Sequence, residues 1–213
     1  MPEPLVIVGC GGHGREIFGV VQAINEAQGD PWKVLGFVDD APSDVNLGRL
    51  ERLGVPFLGA IPQLAAMPND VRYVIGIGDP RVRAKVAGKI GPGMRAAAPI
   101  IHPAATVGLD NRFAEGVVIF PGARVTTNVT MGRHVHLNQN VTVGHDTVLD
   151  DFVQINPLAA VSGDCHLHER VLVGTTAALL QGLTVGMGAT IGAGACAVKD
   201  VPAGSIVKGV PAR

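Results

Sequence analysis

Two groups of residues in this chain have the types and spacing that chemistry needs. The first is Gly9, Gly11 and Gly14, which satisfy G-x-G-x-x-G. They follow an apolar run, Leu5 to Val8, and open a stretch of helical periodicity from Arg15. Without Cβ atoms such a turn lets the backbone approach a phosphate, and the helix start supplies N–H donors and positive potential. Asp39 closes a second apolar run, Val34 to Val38, where an acidic residue would meet a ribose hydroxyl or a base. Asp79, after Gly76-Ile77-Gly78, ends a third run and would face the same crevice. The second group is His145 beside Asp146. A neutral imidazole takes a proton from an attacking amine or hydroxyl and returns it to a leaving group, and an adjacent carboxylate fixes its tautomer. Each group also has a plain structural reading: a tight turn with no ligand, and a solvated corner histidine.

The elements that must position these groups divide the chain in two. Residues 1–98 alternate apolar runs with helical patterns, a β-α-β grammar. Strands are expected at Leu5–Val8, Val34–Val38 and Tyr73–Ile77, and a short helix at Leu64–Met67. Longer helices are expected from Arg15, with Ile17, Val20, Val21 and Ile24 on one face, and from Pro80 to Ile90. The unit is too short for two mononucleotide-binding halves, so a nucleoside diphosphate fits better than a dinucleotide.

Residues 99–213 follow a different rule. Stepping by six from Ile101 gives Val107, Phe113, Ile119, Val125, Met131, Leu137, Val143 and onward to Ala197, and all seventeen positions are apolar without one insertion. Two places earlier stands another small or branched residue, such as Val129, Val141 or Ala177. One place later stands Gly at Gly108, Gly132, Gly144, Gly174, Gly186 and Gly192, the expected corner residue. A six-residue period predicts a β-helix in which each hexad forms one flat side. His145 falls two places after inward Val143 and so projects outward at a corner.

The totals agree. Hydrophobic residues are 47% but aromatics only 4%, so a core of small aliphatics is expected. A formal net charge of -1 without basic clusters argues against nucleic acid. Three widely spaced cysteines, Cys10, Cys165 and Cys196, fit a reducing cytoplasm, and neither a signal peptide nor a membrane span is read at the N-terminus.

The hexads, with Val143-Gly144, Val173-Gly174, Val185-Gly186 and Ile191-Gly192, resemble the hexapeptide acyltransferases, as does the closing segment Ile206–Arg213. The Gly-rich turn carrying Gly12-His13-Gly14, then Asp39-Asp40, then hexads, resembles one subfamily over nearly the whole chain. It comprises N-acetyltransferases of nucleotide-linked 4-amino-sugars and sialic acid O-acetyltransferases. The resemblance implies a half-Rossmann-like α/β domain followed by a left-handed parallel β-helix with three hexads per coil. It implies acetyl-CoA as co-substrate, no metal, and a homotrimer with active sites between subunits. It further implies that Gly11, Gly12, His13, Gly14, Asp39 and Asp40 hold the nucleotide sugar, with Asp79 nearby. His145 is then the catalytic base, Asp146 its acid partner and Asn138, seven residues before, a positioning group. Where the family often has a second histidine touching the acyl donor, this chain has Gln154. Gly163, Ala177, Ala178, Gly182, Ala195 and Lys199 suit a pantetheine channel, with Lys199 reaching phosphate and the Gly163 N–H facing an oxyanion. His134, His136, His166 and His168 read as surface residues. The implied reaction is N-acetylation of a UDP- or GDP-linked 4-amino-4,6-dideoxy sugar for a bacterial surface glycan. Rival readings are sialic acid O-acetylation, a trimeric nucleotide-binding scaffold, and a metal-dependent hydratase on the same helix, which needs converging histidines.

Overall fold

A computed structural model describes residues 1–213. The first unit is a five-stranded parallel sheet: β1 (Glu3–Val8), β2 (Trp32–Val38), β3 (Phe57–Gly59), β4 (Arg72–Ile75) and β5 (Arg95–Ala96). Its order is β3-β2-β1-β4-β5, so the order reverses between β1 and β4. A crevice opens beyond the strand ends at such a switch point. Helix α1 (Gly12–Gln28) packs the predicted stripe Ile17, Val20, Val21 and Ile24 against the sheet. Helix α3 (Pro80–Ile90) has the predicted bounds. Strands β3 and β5, and helix α2 (Asp44–Arg52), were not expected. The two strands are too short for periodicity to reveal, and α2 buries only Leu50. The short helix is a 3₁₀ segment at Ile61–Ala66, three residues ahead of its expected start.

From Ile100–Ile101 onward the chain forms two-residue parallel strands. Each residue of the six-step series is the second residue of a strand. The strands pair with the third one along, for example Val125 with Val107 and Val143, an 18-residue coil, except at the end, where Ile191 pairs with Val207. Three faces result, of seven, six and five strands, beginning at Ile100, Thr106 and Arg112. The axis is filled by the inward residues and those two places earlier, among them Val129, Met131, Val135, Leu137, Val141 and Val143, all at most 1% exposed.

One expectation about the corners is overturned. The glycines after the inward residues keep negative φ. They are small because a Cβ at Gly144 or Gly132 would strike the backbone of the next coil. The left-handed turn comes two residues later, at Asp110, Asn128, Asn140, Asp146, Asp164 and others at the same six-residue interval. Asp and Asn tolerate that conformation better than other side-chain-bearing residues.

The first unit docks on the first face of the helix. Ile100, Val118 and Phe120 join Ile17, Val20 and Phe37 in one apolar cluster. No helix is long and apolar enough to cross a membrane.

Candidate active site

The corner between the second and third faces carries His145. Its ring is about half exposed, and Nδ1 lies 2.6 Å from Asp146 Oδ2. The other Asp146 oxygen accepts from Asn128 Nδ2 at 2.7 Å. These bonds, Asn128 first and His145 second, hold the Asp146 carboxyl below the usual range, so it is ionised at neutral pH. Asn128 stands one coil below Asp146, and the 18-residue spacing was the signal that could have revealed it. An ionised acceptor on Nδ1 places that ring proton there and leaves Nε2 as the basic nitrogen.

Nε2 faces Gly163, one coil above. A Cβ built on Gly163 would lie 2.6 Å from it. The Gly163 N–H donates to nothing in the chain. The same corner column continues through Gln181 to Lys199, each 18 residues on. Beside it, the outward residues of the second face become small: Ala160, Ala178 and Cys196. Lys199 is exposed, whereas Ala177 and Ala195 point into the core and cannot line a channel. Gly182 turns the corner with φ +76°.

The Gly-rich turn lies in the crevice between β1 and β4. Gly11 caps α1 without a side-chain bond, and no acidic residue occupies the first helical turn, so its N–H groups remain open to an anion. Gly14 is not on that open surface. It is buried, and a Cβ there would collide with the Gly9 carbonyl, so its role is close packing of helix on strand. Asp39 Oδ2 accepts from the Cys10 N–H at 2.9 Å and from Cys10 Sγ at 3.2 Å, and Oδ1 accepts from the Ala41 N–H. It therefore braces the turn. Burial first, then Asp39, pushes the Cys10 thiol up to about 11. Asp40 accepts from the Ile61 N–H and pairs with Lys89 at 2.9 Å; the Lys89 bond, then Ile61, lowers its pKa. Gly9, Asp39, Asp40, Ile77 and Lys89 line a cavity of about 220 Å³. Asp79 caps α3, accepting from the Arg81 and Val82 N–H groups.

His13 turns toward the β-helix. Its Nε2 lies 2.9 Å from His136 Nδ1 and its ring packs on Phe120, while Glu16 Oε2 sits 3.7 Å from Nδ1. Asn138 is buried at the corner between the first and second faces, its Oδ1 without a partner. It thus stands one prism side away from His145 in the same chain.

Three expectations fail on the first face. His134 and His136 are 3% and 0% exposed, not surface residues. Gln154 is 1% exposed and cannot touch an acyl donor from where it sits. All three lie under the docked α/β unit. Arg83, on α3, is the residue that sequence reasoning missed. It is fully buried with no carboxylate partner. It donates to the carbonyls of Ile77 and Gly78 on its own side, and to His134, Phe152 and Val153 and the Gln154 side chain across the interface. Burial pulls its pKa down to about 9. No local signal marks an arginine in the first turns of a helix for this position.

Residues 4–90 match the PglD N-terminal domain family. The chain is 30% identical over 215 residues to the GDP-perosamine N-acetyltransferase of Escherichia coli O157:H7, across 97% of this chain and 94% of that one. This chain belongs to the hexapeptide-repeat sugar acetyltransferases. The acetyltransferase domain of PglB from Neisseria gonorrhoeae, solved with acetyl coenzyme A, superposes on this acetyltransferase with a TM-score of 0.87 at 29% identity, covering 100% and 99% of the two chains. PerB from Caulobacter crescentus, in complex with CoA and GDP-perosamine, gives 0.87 at 29% identity, covering 99% and 96%. The shared architecture is the half-Rossmann-like unit followed by the left-handed parallel β-helix, and the activity class is acetyl-CoA-dependent N-acetyl transfer.

Proposed function

We propose that this acetyltransferase moves the acetyl group of acetyl-CoA onto the amine of a nucleotide-linked 4-amino-4,6-dideoxy sugar, with His145 as general base. The observation that carries the reading is the His145 ring itself: Nδ1 is held by an ionised Asp146, and Nε2 is free and aimed at the only side-chain-free residue of its column, Gly163. The amine nitrogen attacks the thioester carbonyl carbon. The C–N bond forms and the C–S bond breaks. Nε2 takes the proton from the amine and delivers it to the departing thiolate, and the Gly163 N–H donates to the carbonyl oxygen as charge develops. A positioned base of this kind contributes roughly 10²–10⁴-fold.

Pantetheine runs up the column beside Ala178, and Lys199 meets a phosphate of coenzyme A. Three strand spacings separate His145 from Lys199, about 14 Å, a span suited to that arm. The open N–H groups at Gly11, Gly12 and His13 take the diphosphate of the sugar donor, and the cavity at Asp39, Asp40 and Lys89 takes its nucleoside. GDP-perosamine, the sugar named for the PerB complex, supplies the nearest chemistry.

The α/β unit covers the first face, whereas His145 stands at the opposite corner, between the second and third. That separation favours a reaction centre assembled from neighbouring chains of a homotrimer, with the base of one chain meeting the sugar bound to the next. The setting we infer is cytoplasmic synthesis of a bacterial surface glycan. A nucleotide-binding unit has a use only when the acceptor carries a nucleotide, which favours this acceptor over sialic acid. The test incubates the protein and acetyl-CoA with a panel of UDP- and GDP-linked amino sugars and follows products by mass spectrometry. Acetylation of a 4-amino sugar that is lost in His145→Ala is the expected result. Turnover unchanged in that variant at saturating substrates refutes the mechanism, and acetylation of sialic acid alone refutes the acceptor.

A further inference from the structure

One polar cluster takes no part in the proposed reaction. Asp150 and His168 stand at the corner between the third and first faces, one directly above the other in successive coils, and His166 projects outward from the third face. His166 Nε2 lies 3.1 Å from Asp150 Oδ1, and His168 Nδ1 lies 3.0 Å from Asp150 Oδ2. The two imidazole rings are tilted at 41° to one another, with centroids 4.0 Å apart. The three donor atoms all lie within 4.8 Å of one another, and no other group of three metal-ligating side chains in the chain converges in this way. Each of the three side chains is 36–42% exposed, so solvent reaches the cluster.

We propose that Asp150, His166 and His168 bind one divalent transition-metal ion of the zinc class. Two imidazole nitrogens and a carboxylate oxygen suit zinc or its neighbours in the first row, and do not suit magnesium or calcium, which take oxygen. In a tetrahedral zinc site with bonds of 2.0–2.2 Å, ligand atoms sit about 3.3–3.6 Å apart. The Asp150 oxygens already lie 3.0–3.1 Å from the two nitrogens and no pair of donor atoms exceeds 4.8 Å, so the site needs only a modest approach of the side chains, with water completing the shell. Two features around the cluster agree. The corner residues in the coils below and above are Gly132 and Gly186, so no side chain of the column covers the site. An adjoining cavity of about 360 Å³ is lined by Asp150, Asp151 and Glu169; Arg133 pairs with Asp151 and Arg170 with Glu169, which leaves Asp150 as the carboxylate there without a lysine or arginine partner. Asp150 belongs to one coil and both histidines to the next, so the ion would pin two coils together. It stands at a different corner from His145.

The test uses the full chain, stripped with chelator and dialysed, then titrated with zinc sulfate by calorimetry. One equivalent per chain is expected, with no uptake of magnesium. His166→Ala and His168→Ala are each expected to weaken binding at least as much as loss of an outer-shell partner, roughly 10–100-fold, and to leave acetyl transfer intact. Asp150→Asn, close in size to the native residue, serves should an alanine variant fail to fold. His145→Ala is expected to bind zinc normally, which separates this cluster from the His145–Asp146 pair. Absence of stoichiometric zinc binding overturns the proposal, as does equal affinity in the His166→Ala/His168→Ala double variant.

Discussion

Adding one methyl group at Gly163 is predicted to remove most of the activity without harming the fold. The new Cβ would stand 2.6 Å from His145 Nε2, where ordinary contacts begin near 3.4 Å. The ring must retreat by about 0.8 Å, and its 2.6 Å bond to Asp146 resists that retreat. A misplacement of about 1 Å at a reacting group costs on the order of 100-fold, so Gly163→Ala is expected to lower kcat by roughly that factor. Stability moves the other way. Gly163 lacks positive φ, so alanine enters without backbone strain. A glycine-to-alanine change at such a site stabilises by about 0.4–1 kcal/mol, which matches or exceeds what is lost by straining a bond between two half-exposed side chains. The assay follows thiol release from acetyl-CoA at saturating amino sugar, beside thermal unfolding of the same preparation. A kcat within about threefold of the parent, in a variant that melts normally, refutes the placement of Nε2. A large fall in the unfolding midpoint refutes the claim that the site is unstrained.

Other predictions address the domain junction and the acyl donor. Arg83→Lys keeps the buried charge but has three donors for six acceptors. Stranding three of them at about 1 kcal/mol or more each lowers stability by on the order of 3 kcal/mol, measured by urea unfolding; an unchanged midpoint would show that the clamp carries no load. His134 titrates near 4 because burial, then Arg83, disfavours its charged form. A folded-state pKa below the unfolded value near 6.5 means that the unfolded chain binds the extra proton. Stability is therefore full above pH 6.5 and falls by about 3 kcal/mol as pH drops toward 4. His136 shifts in the same direction. His134→Asn should flatten that slope, and a slope unaltered by the change counts against the assignment. Lys199→Ala is expected to raise KM for acetyl-CoA roughly fivefold, more at low salt, with kcat unchanged; a kcat effect at saturation would place this side chain elsewhere.

Much of the site was legible because the β-helix converts sequence spacing into position. An 18-residue coil brings His145, Gly163 and Lys199 into one column, and the inward Val143 fixes the outward direction of the imidazole two residues later. The Gly-rich turn was legible as a motif, but its parts were not equivalent. Gly14 is packing, and Asp39 is a brace for Cys10. Gln154 and His136 were misread for a definite reason. Each is the outward residue of an ordinary hexad, with the same local pattern as Ala160 or His166 on the other faces.

By itself the sequence determined the periodic half. An aliphatic residue at every sixth place has only one economical burial, a stacked prism, and that burial is local from coil to coil. Which of the three faces is covered is not written in the repeat, since outward positions are alike until something docks on them. Tertiary packing made that choice. The α/β unit settles on the first face through Ile17, Phe120 and Arg83, burying His134, His136 and Gln154 and leaving the corner of His145 open to solvent.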